Sequence, residues 1–129
     1  MRDIIFRGKR EDNGEWITES ETYIKDGDGT WLSDESHDVV KVIPETVGEF
    51  TGVTDKNDRK IFERDIVKRG DRIWIIEYGV KYAQFVMKTF TERGVFWTRS
   101  FDLIPSEWCE VIGNIHDNPE LLEGSVENG

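Results

Sequence analysis

The side chains best suited to covalent or metal chemistry are few in this sequence. It contains one cysteine, Cys109, and two histidines, His37 and His116. A nucleophilic site needs a Ser, Thr or Cys beside a base that a third group orients. Cys109 and His116 are seven residues apart across a predicted strand, and His37 falls in an acidic loop, so nothing in the spacing assembles a site. The expected role of Cys109 is that of a small buried apolar residue. A single cysteine also excludes an internal disulfide and a multi-cysteine zinc site. The run Asp26-Gly27-Asp28-Gly29-Thr30 has some likeness to a calcium loop, which needs glycine at its sixth position and a bidentate glutamate at its twelfth. Counted from Asp26, those positions hold Trp31 and His37, so a β-turn is the better reading. There is no phosphate-cradling glycine loop and no His-Glu-x-x-His pair. With 27 acidic side chains, carboxylate pairs for acid–base work are too abundant for any one to stand out without geometry. No catalytic residue, metal ligand or cofactor is assigned, and the chain is expected not to be an enzyme.

What remains is a face for binding. Lys68, Arg69, Arg72, Trp74, Lys81, Lys88 and Arg99 form the candidate interaction face, interleaved with Tyr78, Tyr82, Phe85, Phe90 and Trp97. Basic groups with stacking rings on a small barrel suit single-stranded nucleic acid. Strand alternation alone would also send the rings to a core and the charges to water. The formal net charge of −10 weighs against nucleic acid and anionic membranes as partners. That charge is uneven. Residues 1–50 carry 6 Lys/Arg against 13 Asp/Glu, residues 51–100 carry 11 against 7, and residues 101–129 carry none against 7. A mixed, solubilising surface accounts for this, as does a basic middle that meets an acidic partner or the acidic part of a second copy.

The elements that must position these residues read as strands. Residues 4–7 alternate before the turn Asp12-Asn13-Gly14, where Asn and Gly tolerate positive φ. A strand is expected over 16–24, then a turn at Asp26-Gly27-Asp28-Gly29, a strand from Thr30, and a strand over 39–43 that Pro44 stops. Two short apolar pieces flank Asp55-Lys56-Asn57-Asp58, which reads as a hairpin. A strand starting at Asp65 turns at Gly70-Asp71 into residues 73–78, apolar on both faces: Ile73 and Ile75 on one, Trp74, Ile76 and Tyr78 on the other. Such a strand lies at the centre of a packed sheet or at an interface. Strands over 82–89 and 95–101 follow, and this even spacing argues for a small barrel or sandwich. Helix is expected to be scarce, with one turn over 118–123 capped by Asn118. The longest apolar run, Ile73-Trp74-Ile75-Ile76, is too short to cross a bilayer, and no signal peptide is expected.

Three blocks of the sequence resemble the YopX family of phage and prophage proteins. The first is Phe6-Arg7-Gly8-Lys9-Arg10 with Asp12-Asn13-Gly14-Glu15-Trp16. The second runs from Pro44-Glu45-Thr46-Val47-Gly48-Glu49-Phe50-Thr51-Gly52 through Asp55-Lys56-Asn57 to Ile61-Phe62-Glu63. The third is Glu110 to Glu123, with Gly113-Asn114-Ile115-His116-Asp117-Asn118-Pro119 at its centre. They occur in the family's order and bracket residues 2–123. Members usually read Asn-Gly-Lys where this chain has Asn57-Asp58-Arg59, and Glu-Gly-Asp where it has Glu63-Arg64-Asp65. Glycine at those places suggests positive φ or a close backbone approach, which Asp tolerates better than Arg.

The resemblance implies a mainly β chain with a β-rich N-terminal lobe (1–48), an SH3-like β-barrel (49–123) and little helix, while residues 124–129 are expected to be a disordered tail. It implies a phage or prophage origin and no catalytic residues. The expected function is that of a non-enzymatic accessory protein, cytoplasmic in a bacterial host, acting as a protein-binding or self-assembling module. Its partners are expected to be a second copy of the chain or another protein, with no membrane. The alternative is single-stranded nucleic-acid binding through residues 51–100.

Overall fold

The structure is a computed structural model that describes residues 4–70, 72–79, 84–90, 96–100 and 109–122, with the backbone alone for 90 and 96–100. The expected tail at 124–129 lies outside the described residues. The chain divides into two compact units, Met1–Gly52 and Val53–Gly129. Among the described residues the regular structure is strand, apart from a 3-10 turn at Pro44–Thr46 and a helical turn at 120–122. The protein is mainly β.

In the first unit, β1 (Phe6–Lys9) lies between β2 (Trp16–Ser20) and β6 (Gly48–Thr54), and a second sheet has the order β3 (Tyr23–Asp26), β4 (Gly29–Ser33), β5 (Val39–Val42). Ile17, Leu32, Val42 and Val47 form the core, with Phe6 and Val40 packed on it. Gly8 is what lets β1 run so close to that core: a Cβ there would lie 3.0 Å from Leu32 Cδ1 and 3.3 Å from Val47 Cγ2. The expected strand over 16–24 is two strands belonging to different sheets. Ser20 makes the break, because its Oγ accepts the N–H groups of Thr22 (3.1 Å) and Ser33 (2.9 Å) and donates to the Thr22 carbonyl (2.7 Å). A short hydroxyl side chain that bonds nearby backbone in this way competes with the ladder and turns the chain. Pro44 ends β5 as expected. Behind it, Thr46 Oγ1 donates to the Ile43 carbonyl (2.6 Å) and accepts the Lys9 N–H (2.8 Å).

The second unit begins within β6, at Val53; β7 (Lys60–Phe62) follows, and the loop before it covers Asp55 to Arg59, as the hairpin reading requires. The main sheet is antiparallel with the order β11 (Phe96–Ser100), β10 (Gln84–Phe90), β9 (Arg72–Gly79), β8 (Asp65–Arg69), β12 (Glu110–Asn114). The two-sided apolar strand is therefore the central one. Trp74 and Ile76 face a core shared with Ile61, Val67, Phe85, Met87, Cys109 and Val111, against which Val53 packs. Ile73 and Ile75 lie half-buried on the opposite face. The β12–β8 register slips between Val111 and Gly113, so Ile112 is the extra residue of a bulge. Gly113 is needed here because a Cβ would sit 2.5 Å from Asn118 Oδ1, the atom that accepts the Asn114 N–H at 3.2 Å. Asn118 thus bonds back to the bulge rather than capping the helical turn after it with its side chain. Its carbonyl takes the first bond of that turn, from the Leu121 N–H at 3.1 Å.

Both departures from the family's glycines fall where the backbone is left-handed: Asp58 has φ 65° and Arg64 has φ 71°. Asp visits this region at modest cost, whereas a long side chain with a Cβ is strained by roughly 1 kcal/mol or more. Arg64 is held there by backbone bonds on both sides, its N–H to the Ile76 carbonyl (2.6 Å) and its carbonyl from the Ile115 N–H (3.1 Å). Its guanidinium stands 4.0 Å from Glu63 in an accessible pair, which adds little stability. Arg64→Gly is expected to raise the urea midpoint by a net stabilisation of roughly 0.5–1 kcal/mol, the strain relief exceeding the extra freedom of the unfolded chain. An unchanged or lower midpoint would contradict this account of the turn.

Candidate functional site

The residues with chemical potential are spread through the fold. His37 is exposed at φ 67° in the β4–β5 turn, its N–H bonded to the Asp34 carbonyl at 2.9 Å. His116 is half-buried in the turn after β12, its N–H on Asn114 Oδ1 at 3.0 Å. Cys109 is 2% exposed in the second unit's core. Burial, and then the negative charge of Asp55, push its thiol up to about 11, so it stays protonated and unreactive at neutral pH. Among the described residues no three His, Cys, Asp or Glu side chains gather as metal ligands would. The Asp26 run is a hairpin turn. Asp26 Oδ1 accepts the N–H groups of Asp28 (2.8 Å) and Gly29 (3.1 Å), which with the Trp31 indole hold its carboxyl below the ordinary range against a small cost of burial.

The register of the main sheet places the predicted interaction residues in different rows. Lys68 pairs with Ile73 and Lys88 with Ile75, so both belong to the face opposite the Trp74 core. Arg69 pairs with Arg72, two positions along from Trp74 and on its face. Lys68, Arg69 and Arg72 are exposed, and Lys88 Nζ lies 2.7 Å from Glu77 Oε2. Trp74 is 4% exposed, a core ring with no face for a base or a peptide to stack on. Position 99 pairs with Met87, and Lys81 lies outside the described residues. Alternation thus sends the exposed charges to both sides of the sheet.

A denser assembly of polar contacts forms around Asp55, which the sequence marks as a turn residue and nothing more. Its carboxylate is buried and accepts three backbone N–H groups. Oδ1 takes Asn57 and Arg59, each at 2.9 Å, and Oδ2 takes Val111 of β12 at 2.9 Å. Around it, the Lys56 N–H reaches the Cys109 carbonyl (3.0 Å), Asn57 Nδ2 reaches Glu110 Oε2 (3.1 Å) and an Arg59 guanidinium nitrogen reaches the Val111 carbonyl (3.3 Å). Burial alone would raise this carboxyl. The donated bonds from Val111, Arg59 and Asn57, with the charge of Arg59, outweigh that and hold it below the ordinary range. The second and third sequence blocks meet here. The first block forms the β1–β2 hairpin, where Trp16 lies under the Arg7 guanidinium (4.9 Å) and the Lys9 ammonium (5.4 Å). In its turn Arg10 forks onto Asp12 with two bonds of 2.9 Å.

These contacts bind the chain to itself, and their chemistry is that of a structural lock. Replacing Asp55 by Asn keeps the shape but sets an amide N–H against a backbone N–H. Asp55→Asn is expected to cost roughly 3 kcal/mol in chemical denaturation. The folded carboxyl binds its proton more weakly than the unfolded one. Its contribution is therefore complete above the unfolded pKa of about 4 and disappears as pH falls through the folded value. The variant should lose that part of the acid limb of the stability curve, and a limb identical to that of the native protein would refute the assignment. Cys109 should react with an alkylating reagent at pH 8 at least about a hundredfold more slowly in the folded than in the unfolded chain, as a buried protonated thiol must.

A family model described as YopX protein matches residues 5–123, and no curated protein matches the chain. Nearly the whole length is covered, including the hairpin of the first block and the Asp55 lock that joins the other two. The chain belongs to the YopX family.

Proposed function

We propose that this phage-type protein is a non-enzymatic module that works by docking onto protein surfaces, its own copies included. The observation that carries the reading is where its polar and apolar groups are spent. Of the eight buried polar side chains among the described residues, Ser20, Thr46, Asp55, Asp65 and Thr89 each bond backbone of the chain itself, which gives these five a structural role. Apolar side chains, by contrast, reach the surface on the first unit's β3–β5 sheet, where Tyr23 is 46%, Ile24 40% and Val39 52% exposed. The order β11-β10-β9-β8-β12, a four-strand meander with β12 returning to β8, supports an SH3-like barrel for the second unit, a scaffold suited to presenting surfaces.

The nucleic-acid alternative draws on the basic residues of 51–100. It is weakened by the burial of Trp74 and by the division of Lys68 and Arg72 between two faces of the sheet. Sedimentation at physiological salt is expected to show a species larger than one chain. A strict monomer that captures no host protein would end the docking reading. Fluorescence anisotropy with a labelled single strand at low salt is expected to show no binding. Salt-dependent binding that Lys68→Glu with Arg72→Glu weakens would favour the alternative.

A further inference from the structure

Every residue of β3 is exposed, and the hydrogen-bond phase of its sheet shows which of its backbone groups face outward. Asp26 and Gly29 flank a two-residue turn and pair with each other, so they form the hydrogen-bonded pair that closes the hairpin. Alternation along an antiparallel ladder then turns Ile24 toward β4 and Tyr23 and Lys25 away from it. The Ser33 N–H fits this phase: it faces the β3 side and is taken by Ser20 Oγ at 2.9 Å. At the opposite edge, β5 is met by the chain itself: the Lys41 carbonyl accepts the Glu11 N–H (3.0 Å) and the Ile43 N–H donates to the Lys9 carbonyl (2.8 Å). The edge of β3 has no counterpart to these among the described residues. Tyr23 and Lys25 present two donors and two acceptors to the surroundings, the template for an added strand.

We propose that this edge pairs with β3 of a second copy, antiparallel about a two-fold axis through Ile24. The inference rests on the docking reading above and names the surface and the occupant. Self-pairing is favoured because the strand complements itself in the one register that uses its outward groups. Tyr23 then stands opposite the partner's Lys25, and the two copies exchange four backbone hydrogen bonds. On the outer face Ile24 meets the partner's Ile24. This extends a row in which Ile24 pairs with Trp31 and Trp31 with Lys41, whose ammonium lies 6.0 Å from the Trp31 ring. On the inner face Tyr23, already edge-to-face with Phe6 at 5.0 Å, gains the partner's Lys25 ammonium beside its ring. The contact is isologous, so it closes at two copies.

The Lys25 N–H makes no bond within its own sheet in this phase, so Lys25→Pro removes an outward donor and blocks strand addition while leaving the β3–β4 ladder intact. In sedimentation equilibrium of the full chain, from micromolar to sub-millimolar concentration, the native protein should dimerise. Lys25→Pro should dissociate about a hundredfold or more readily, with its thermal melt unchanged. Should Lys25→Pro fail to fold, Ile24→Cys decides. Non-hydrogen-bonded partners on the axis come close enough for a disulfide, and Cys109 is buried, so mild oxidation should give a covalent dimer through position 24. A native oligomer that persists in Lys25→Pro, with no Ile24→Cys cross-link, overturns the edge pairing and leaves the docking reading standing. A chain that stays monomeric throughout, with no cross-link, overturns the pairing whatever other protein the edge accepts.

Discussion

The carboxylate of Asp55 carries the constraint on which the second unit depends. A β-structure built from strands of three to eight residues has many ends, and each end leaves backbone N–H groups without a ladder partner. Buried, each such group costs about as much as a lost hydrogen bond. One carboxylate serves three of them and ties a five-residue loop to a strand 56 positions away. Charge-assisted bonds are stronger than neutral ones, which explains why a buried charge is tolerated at this point. The same device recurs in neutral form at Ser20 and Thr46, and at Asn114, whose Oδ1 accepts the N–H groups of His116 and Asp117.

Local backbone conformation sets the second constraint. The approach of β1 to Leu32 and the packing of Asn118 onto the bulge each leave no room for a Cβ, and glycine stands at both. Where a left-handed residue is needed at the β7–β8 turn, this chain places Arg64 and accepts the strain because bonds from two other segments hold the peptide there. Strain at one turn is affordable when the surroundings over-determine it.

The exposed surface follows from how the sheets end. In the five-stranded sheet β9 is flanked on both edges, and its Trp74 face closes a core. In the three-stranded sheet one edge is capped by the chain itself while β3 stands at the other. A short strand with a lysine on it is a usual way to keep an edge from pairing at random. In β3 that lysine also falls where a second β3 would offer it an aromatic ring, so protection against random partners and recognition of one partner are compatible.

Much of this was legible in the sequence, because it depended on neighbours along the chain. Alternation marked the strands, Asn, Asp and Gly marked the turns, Pro44 marked the end of β5, and the family's glycines marked Asp58 and Arg64 as left-handed. Composition alone argued for a buried, unreactive Cys109. What the tertiary structure decided is whatever depends on register and on contacts between distant segments. A period of two shows that charges and rings alternate, yet it cannot show that Lys68 and Arg72 lie on opposite faces, since that needs the pairing of β8 with β9. Ser20 reads locally as one more strand residue, and its bond to Ser33, 13 positions on, is what breaks the strand. Asp55 likewise reads as a turn former until β12 arrives beside it. Propensity and pattern are carried by adjacent residues, whereas a hydrogen bond across 56 positions is specified only once the chain has folded and both partners have lost their water.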